Sequence, residues 1–138
     1  MAYWLMKTEP SSWSWDDQVT KGVEHWDGVR NYQASNNMKA MKLGDRVFFY
    51  HSVKEKKIVG IVEVCKEYYP DHTDPKGRFG MVDVKALYPM ETAVSLDDIK
   101  NNNALHDIAL LKQSRLSVMP IKDEEWKIIC QMGNTKPE

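Results

Sequence analysis

At 138 residues, with 42% hydrophobic and 28% charged content, the chain is long enough to bury a core without disulfides or metal. That composition excludes disorder, collagen-like repeats and coiled coil as whole-chain descriptions. No apolar run approaches the roughly 20 residues of a membrane helix and residues 1–7 are too short for a secretion signal, so one cytoplasmic domain over residues 1–138 is expected. A formal net charge of -1 excludes a protein that tracks long stretches of duplex, because such binding scales with the phosphates neutralised. Any nucleic-acid contact must therefore be local.

Tyr3-Trp4-Leu5-Met6 reads as a short buried strand, with a polar loop from Thr8 because Pro10 cannot continue a ladder. Ser14 is placed to cap a helix with Asp16 and Asp17 in its first turn, ending near Gly22. After the loop over residues 25–30, residues 31–42 carry Met38 and Met41 at helical spacing and end before Gly44. Residues 45–51 and 58–64 are rich in β-branched and aromatic residues, and the polar stretch between them suits a hairpin. Residues 68–77, dense in Pro, Asp and Gly, predict an exposed loop, with Asp71-His72-Thr73-Asp74 as a solvated turn.

Residues 79–87 return to strand character, and Ser95 caps a helix before Ile99. Leu116-Ser117-Val118-Met119 alternates as a strand ended by Pro120, and a last helix aligns Trp126, Ile129 and Cys130 on one stripe. The tail after Gly133 is expected to fray. Cys65 and Cys130 follow apolar runs and read as buried, inert thiols. The layout is an α+β domain: a mixed curled sheet of about five or six strands with peripheral helices.

Six stretches taken in order resemble the EVE domain family over nearly the whole chain: Trp4-Leu5-Met6-Lys7-Thr8-Glu9-Pro10, residues 26–34, Phe49-Tyr50-His51-Ser52, Val59-Gly60-Ile61, Tyr69-Pro70-Asp71 and Ser114-Arg115-Leu116-Ser117-Val118. The resemblance departs at Ser35, where Arg is common, at Val53, where Asn is common, and at Phe79, where Trp is common. It implies a PUA-like pseudobarrel, similar to YTH and ASCH domains. It also implies a pocket suited to a modified base, such as cytosine modified at carbon 5 or N6-methyladenine.

Reading a base needs ring faces to stack on and a few groups for its edge, and several loop boundaries supply both. Trp26 leads through Asp27 into Arg30 and Asn31, so a ring, a carboxylate, a guanidinium and an amide converge on one cavity, unless Trp26 is a plain core anchor. Tyr50, His51 and Ser52 offer hydroxyls and an imidazole at a strand end, and Phe79 offers a smaller ring. Lys7, Thr8 and Glu9 follow the first strand, where Glu9 accepts from an exocyclic amine or else pairs with Lys7. Arg115 and Ser117 suit a backbone phosphate. Of Trp13 and Trp15, at least one packs on the barrel, and both are left outside the pocket.

His25, His51, His72 and His106 show no ligand spacing and no phosphate loop or nucleophile elbow is present. No metal, no cofactor and no catalytic residue are expected. The leading expectation is a monomeric reader of a modified base in single-stranded or flipped DNA or RNA. A small ASCH-like hydrolase using Lys7, Glu9 and His51, and a domain binding a free nucleoside, metabolite or peptide, are the alternatives.

Overall fold

In the computed structural model, which describes residues 1–137, the chain begins in strand β1 (Tyr3–Thr8), with Trp4, Leu5 and Met6 buried. The strand runs through Lys7 and Thr8 rather than yielding to loop before them, because both pair with the next long strand, opposite Tyr50 and His51. Helix α1 (Trp15–Lys21) is closed by a capping box in which Ser14 Oγ accepts from the Asp17 N–H and Asp17 accepts from the Ser14 N–H, as its sequence foretold. Gly22 ends it at φ 81, and a three-residue strand, β2 (Val23–His25), follows where only loop was expected. It is too short to show a period-2 pattern and owes its form to pairing with a distant strand.

Helix α2 (Tyr32–Ala40) is capped by Asn31 and stops short of Lys42. Strands β3 (Arg46–His51), β4 (Lys57–Pro70) and β5 (Gly80–Ser95) form the antiparallel centre of the sheet. The last two are far longer than their apolar runs suggested, and β4 carries Tyr68, Tyr69 and Pro70 into what looked like loop. Register shifts punctuate this long pair, and each bulge adds twist, which is how such a ribbon bends around a core. Helix α3 (Leu96–Lys100) has its expected Ser95 cap, while a 3-10 turn (Asn103–Leu105) and helix α4 (Ala109–Lys112) occupy a stretch with no sequence forecast.

Strand β6 (Val118–Ile121) contains Pro120 instead of ending before it. This is permissible because β6 is an edge strand paired only with β1, so the missing N–H breaks no ladder on its other side. Helix α5 (Asp123–Met132) buries Trp126, Ile129 and Cys130 on the forecast stripe. The tail does not fray over the described residues: the Thr135 N–H donates to Cys130 O at 2.9 Å and Trp126 Nε1 donates to Pro137 O at 2.9 Å.

The described residues thus form a mixed six-stranded sheet of order β2-β5-β4-β3-β1-β6, with β1 and β3 parallel. The sheet does not close on itself. Helix α2 ties the edge strand β6 to the far end of β4: Asn37 Nδ2 donates to Val118 O on β6 at 2.8 Å, and Ser35 Oγ meets the Tyr68 hydroxyl on β4 at 2.8 Å. This is the α+β, PUA-like pseudobarrel anticipated. No described helix is long and apolar enough to cross a membrane.

Two aromatic groups fill the interior. Trp126 stacks on Phe48 at 3.8 Å and on Tyr3 at 4.4 Å, while Phe49 meets Trp15 and Trp26 edge-on at 5.3 and 5.6 Å. Gly60 is required under Trp15, since a Cβ there would sit 2.5 Å from the indole. Cys130 is fully buried, and burial pushes its thiol up to about 12, consistent with an inert role; Cys65 is half-buried and also raised, by burial and by Asp83.

Val53, in the β3–β4 turn, holds φ 70, a left-handed conformation that strains a β-branched residue and that Asn tolerates. Its side chain is 57% exposed, so little packing is at stake. Val53→Asn is expected to stabilise the fold by about 1 kcal/mol, seen as a higher urea midpoint at unchanged slope.

Candidate functional site

The C-terminal ends of β1 and β2 and the start of β6 meet at one end of the sheet, because β6 runs antiparallel to β1 and the Lys7 N–H donates to Ser117 O at 2.9 Å. There they frame a cleft of about 480 Å³, within the range of small-ligand sites. Lys7, Thr8 and Glu9 come from the end of β1 and just beyond, Ser12 and Trp13 from the next loop, residues 24–31 from β2 and the loop after it, and Ser117 from before β6.

Two indoles border this space. Trp26 is held by its backbone N–H, which donates to Val82 O at 2.8 Å, and its ring meets Phe49 edge-to-face, so it is at once a core anchor and a cleft wall. Trp13 is half-buried, fixed by Nε1 donating to Gln18 Oε1 at 2.9 Å and by its carbonyl accepting from Thr8 Oγ1 at 2.8 Å. Trp13, expected outside the pocket, thus lines the cleft, whereas Trp15 packs inward, as one of the pair was expected to. The signal available was the Trp13-Ser14-Trp15 alternation, in which a helix cap turns successive rings to opposite sides.

Lys7 is half-buried, and burial lowers its pKa; its Nζ donates to Ser114 O at 2.9 Å instead of pairing with Glu9. Glu9 is exposed and accepts from Ser11 Oγ at 3.1 Å. Asn31 Oδ1 is engaged in capping α2, accepting from the Ala34 N–H at 2.9 Å. Asp27 is exposed at the rim.

Arg30 is anchored by Asp71, whose side chain is 0% exposed. One carboxylate oxygen accepts from Arg30 Nη1 at 3.0 Å and from the Gly28 N–H at 2.8 Å, and the other from the Thr73 N–H and hydroxyl at 2.7 and 2.6 Å. Burial alone pushes this carboxyl up, but the hydrogen bonds from Thr73, Gly28 and Arg30 outweigh it and hold it well below the usual carboxylate range. Asp71 is thus no solvated turn residue; it pins the loop carrying Asp27 to Arg30 along one side of the cleft.

Other candidates lie elsewhere. Tyr50 is 3% exposed, outside the cleft lining, with burial pushing its phenol up to about 12. His51 is buried with both ring nitrogens occupied: Nε2 accepts from the Trp15 N–H at 3.0 Å, so Nδ1 carries the proton toward Glu55 Oε1 at 3.0 Å. An imidazole so committed is a fastener for α1 rather than an edge-reader. Ser52 donates its N–H to Thr8 O, and Phe79 sits between Tyr32 and the Arg30 guanidinium, each outside the cleft lining. Arg115 lines a shallower adjoining groove with Lys112 and Gln113, and Asn31 borders both hollows.

A six-stranded pseudobarrel whose cleft opens beside the first strand defines a PUA-like domain. The sequence model of the EVE domain matches residues 2–132, and the chain belongs to that family. It is 36% identical to rat thymocyte nuclear protein 1 over 98% of this chain and 75% of that protein. Among solved structures, a crystal structure of an Agrobacterium tumefaciens protein superposes with a TM-score of 0.96 at 47% identity, covering 100% of this chain and 98% of that one. Human THYN1 protein in complex with 5-methylcytosine-containing DNA superposes with a TM-score of 0.92 at 33% identity, covering 99% and 100%.

Proposed function

We propose that this protein is a non-catalytic reader that takes a single modified cytosine of DNA into the cleft between Trp13 and Trp26. The observation that carries this reading is the pairing of two indoles with edge-reading groups around one open hollow. A flat heterocycle stacks on an indole for about 1–3 kcal/mol, and the carboxylates of Glu9 and Asp27 are natural acceptors for the exocyclic amine of cytosine. The human relative solved with 5-methylcytosine-containing DNA supports the choice of base. Arg115 and Lys112 in the adjoining groove suit the flanking phosphates.

A net charge of -1 leaves stacking, not phosphate attraction, as the main source of affinity. Extruding a base from duplex costs a few kcal/mol, which favours single-stranded or mismatched sites. One buried methyl contributes about 0.8 kcal/mol, so a preference of only about fourfold over cytosine comes from the methyl itself, and cleft shape supplies any remainder.

Fluorescence anisotropy with single-stranded DNA and RNA oligonucleotides carrying one cytosine, 5-methylcytosine, adenine or N6-methyladenine tests this. The 5-methylcytosine DNA is expected to bind most tightly, with Trp13→Leu and Trp26→Leu each weakening it by roughly 5- to 150-fold. Equal binding of all probes, together with no loss in either folded variant, overturns the proposal.

A further inference from the structure

The geometry points to a zinc site on the rim of the cleft, formed by His25, Asp27 and His72, which the fold gathers from β2, the loop after it and the distant loop between β4 and β5. One ligand-capable atom from each lies within 4.8 Å of the others. The His25 Nε2 to Asp27 Oδ2 separation is 3.5 Å, close to the spacing of about 3.4 Å that two ligand atoms adopt when each is about 2.0–2.1 Å from a tetrahedral zinc ion. The His72 ring stands edge-on to His25 at 4.9 Å between centroids, placing a second imidazole beside the same point.

A second, independent observation concerns the far side of the His25 ring. Nδ1 lies 3.0 Å from Glu24 Oε1, so a carboxylate stands behind the ring on that side. On the opposite side Nε2 faces the Asp27 carboxylate at 3.5 Å. A ring held between two carboxylates is matched by positive charge, supplied either by a bound metal ion or by the second proton of an imidazolium, and the titration below tells the two apart. A carboxylate behind one imidazole nitrogen, with the other nitrogen turned toward a second ligand atom, is the arrangement that orients and strengthens a histidine ligand for metal. Two imidazoles and one carboxylate form a borderline donor set that suits zinc better than magnesium or calcium, which favour all-oxygen shells. Water completes the fourth position, because His25 and Asp27 are 38% and 40% exposed.

The site shares His25 and Asp27 with the lining of the cleft, but its test needs no nucleic acid, so it stands or falls apart from base binding. The full chain is titrated with zinc(II) against a chromogenic chelator, and with cobalt(II) while its visible absorption is followed. One zinc per chain and an intense tetrahedral cobalt spectrum are expected. His72→Ala is expected to weaken zinc binding at least tenfold and abolish the cobalt band, and Glu24→Gln, which removes no ligand, to weaken zinc by about 10- to 100-fold. Asp27→Asn provides a second ligand deletion should His72→Ala disturb the loop, with folding followed by circular dichroism. Zinc affinity unchanged in folded His72→Ala and Asp27→Asn proteins, or a cobalt spectrum no different from the aqueous ion, overturns the site.

Discussion

Trp126→Ala is expected to lower the unfolding free energy by about 3–5 kcal/mol, the range for removing a large ring from a filled interior. The indole is 0% exposed and lies between two other rings, Phe48 at 3.8 Å and Tyr3 at 4.4 Å. No small residue recovers those contacts, and the rigid sheet on one side limits collapse into the void. Against a total stability of about 5–15 kcal/mol, the loss leaves little margin. Urea unfolding followed by tyrosine fluorescence or circular dichroism measures it. Trp126→Phe retains one stacked ring but forfeits the Nε1 bond to Pro137 O and the volume of the second fused ring, with an expected loss of about 2 kcal/mol. A Trp126→Ala midpoint within experimental error of the parent would show that this stack is not what holds α5 to the sheet.

Asp71→Asn is expected to cost about 2–3 kcal/mol and to weaken base binding as well. The buried oxygen that takes the Gly28 N–H and Arg30 Nη1 becomes, in half of the possible orientations, an amide that donates toward donors. In the other half it is Thr73 that loses its acceptor. The value sits below the range for a fully buried pair because Arg30 is 39% exposed and rehydrates. The loop from Asp27 to Arg30 then loses its tether, so affinity for a 5-methylcytosine oligonucleotide is expected to fall even at temperatures where the protein remains folded. Anisotropy at 10 °C, with urea unfolding of the same sample, distinguishes the two effects. Full retention of affinity in a destabilised variant would show that the loop keeps its shape without Asp71.

Local rules were legible in the sequence wherever local chemistry decides the structure. Ser14 and Ser95 announce their helices because a capping box is a matter of three residues, and the stripe of Trp126, Ile129 and Cys130 is visible because α5 has one apolar face. What escaped depends on neighbours far along the chain. β2 exists because β5 passes beside it, and Pro120 remains in a strand because, among the described residues, no further strand pairs with its outer side. Asp71 looked like a turn residue for want of knowing that Gly28 and Arg30 would arrive beside it.

The candidate site divides on the same principle. The segment around Trp26 and the end of β1 converge on the cleft as their polar and aromatic mixture suggested. Tyr50 and His51 do not, because a residue's place at the end of a strand does not tell which face it occupies. That is set by register with β1 and β4 and by the claim of the Trp15 N–H on the imidazole. Trp13 escaped for the reverse reason: its neighbour Trp15 packs inward, and the cap at Ser14 separates their fates.

Strand β1, made from residues 3–8, is flanked by β3 on one side and by β6, made from residues 118–121, on the other. Its second partner is therefore made long after β1 itself, and the sheet stays one strand short until then. A chain released before residue 121 presents an unpaired ladder beside Trp4 and Leu5, a surface prone to self-association. Joining β6 to β1 closes a long sequence loop, a non-local pairing of the kind that slows folding.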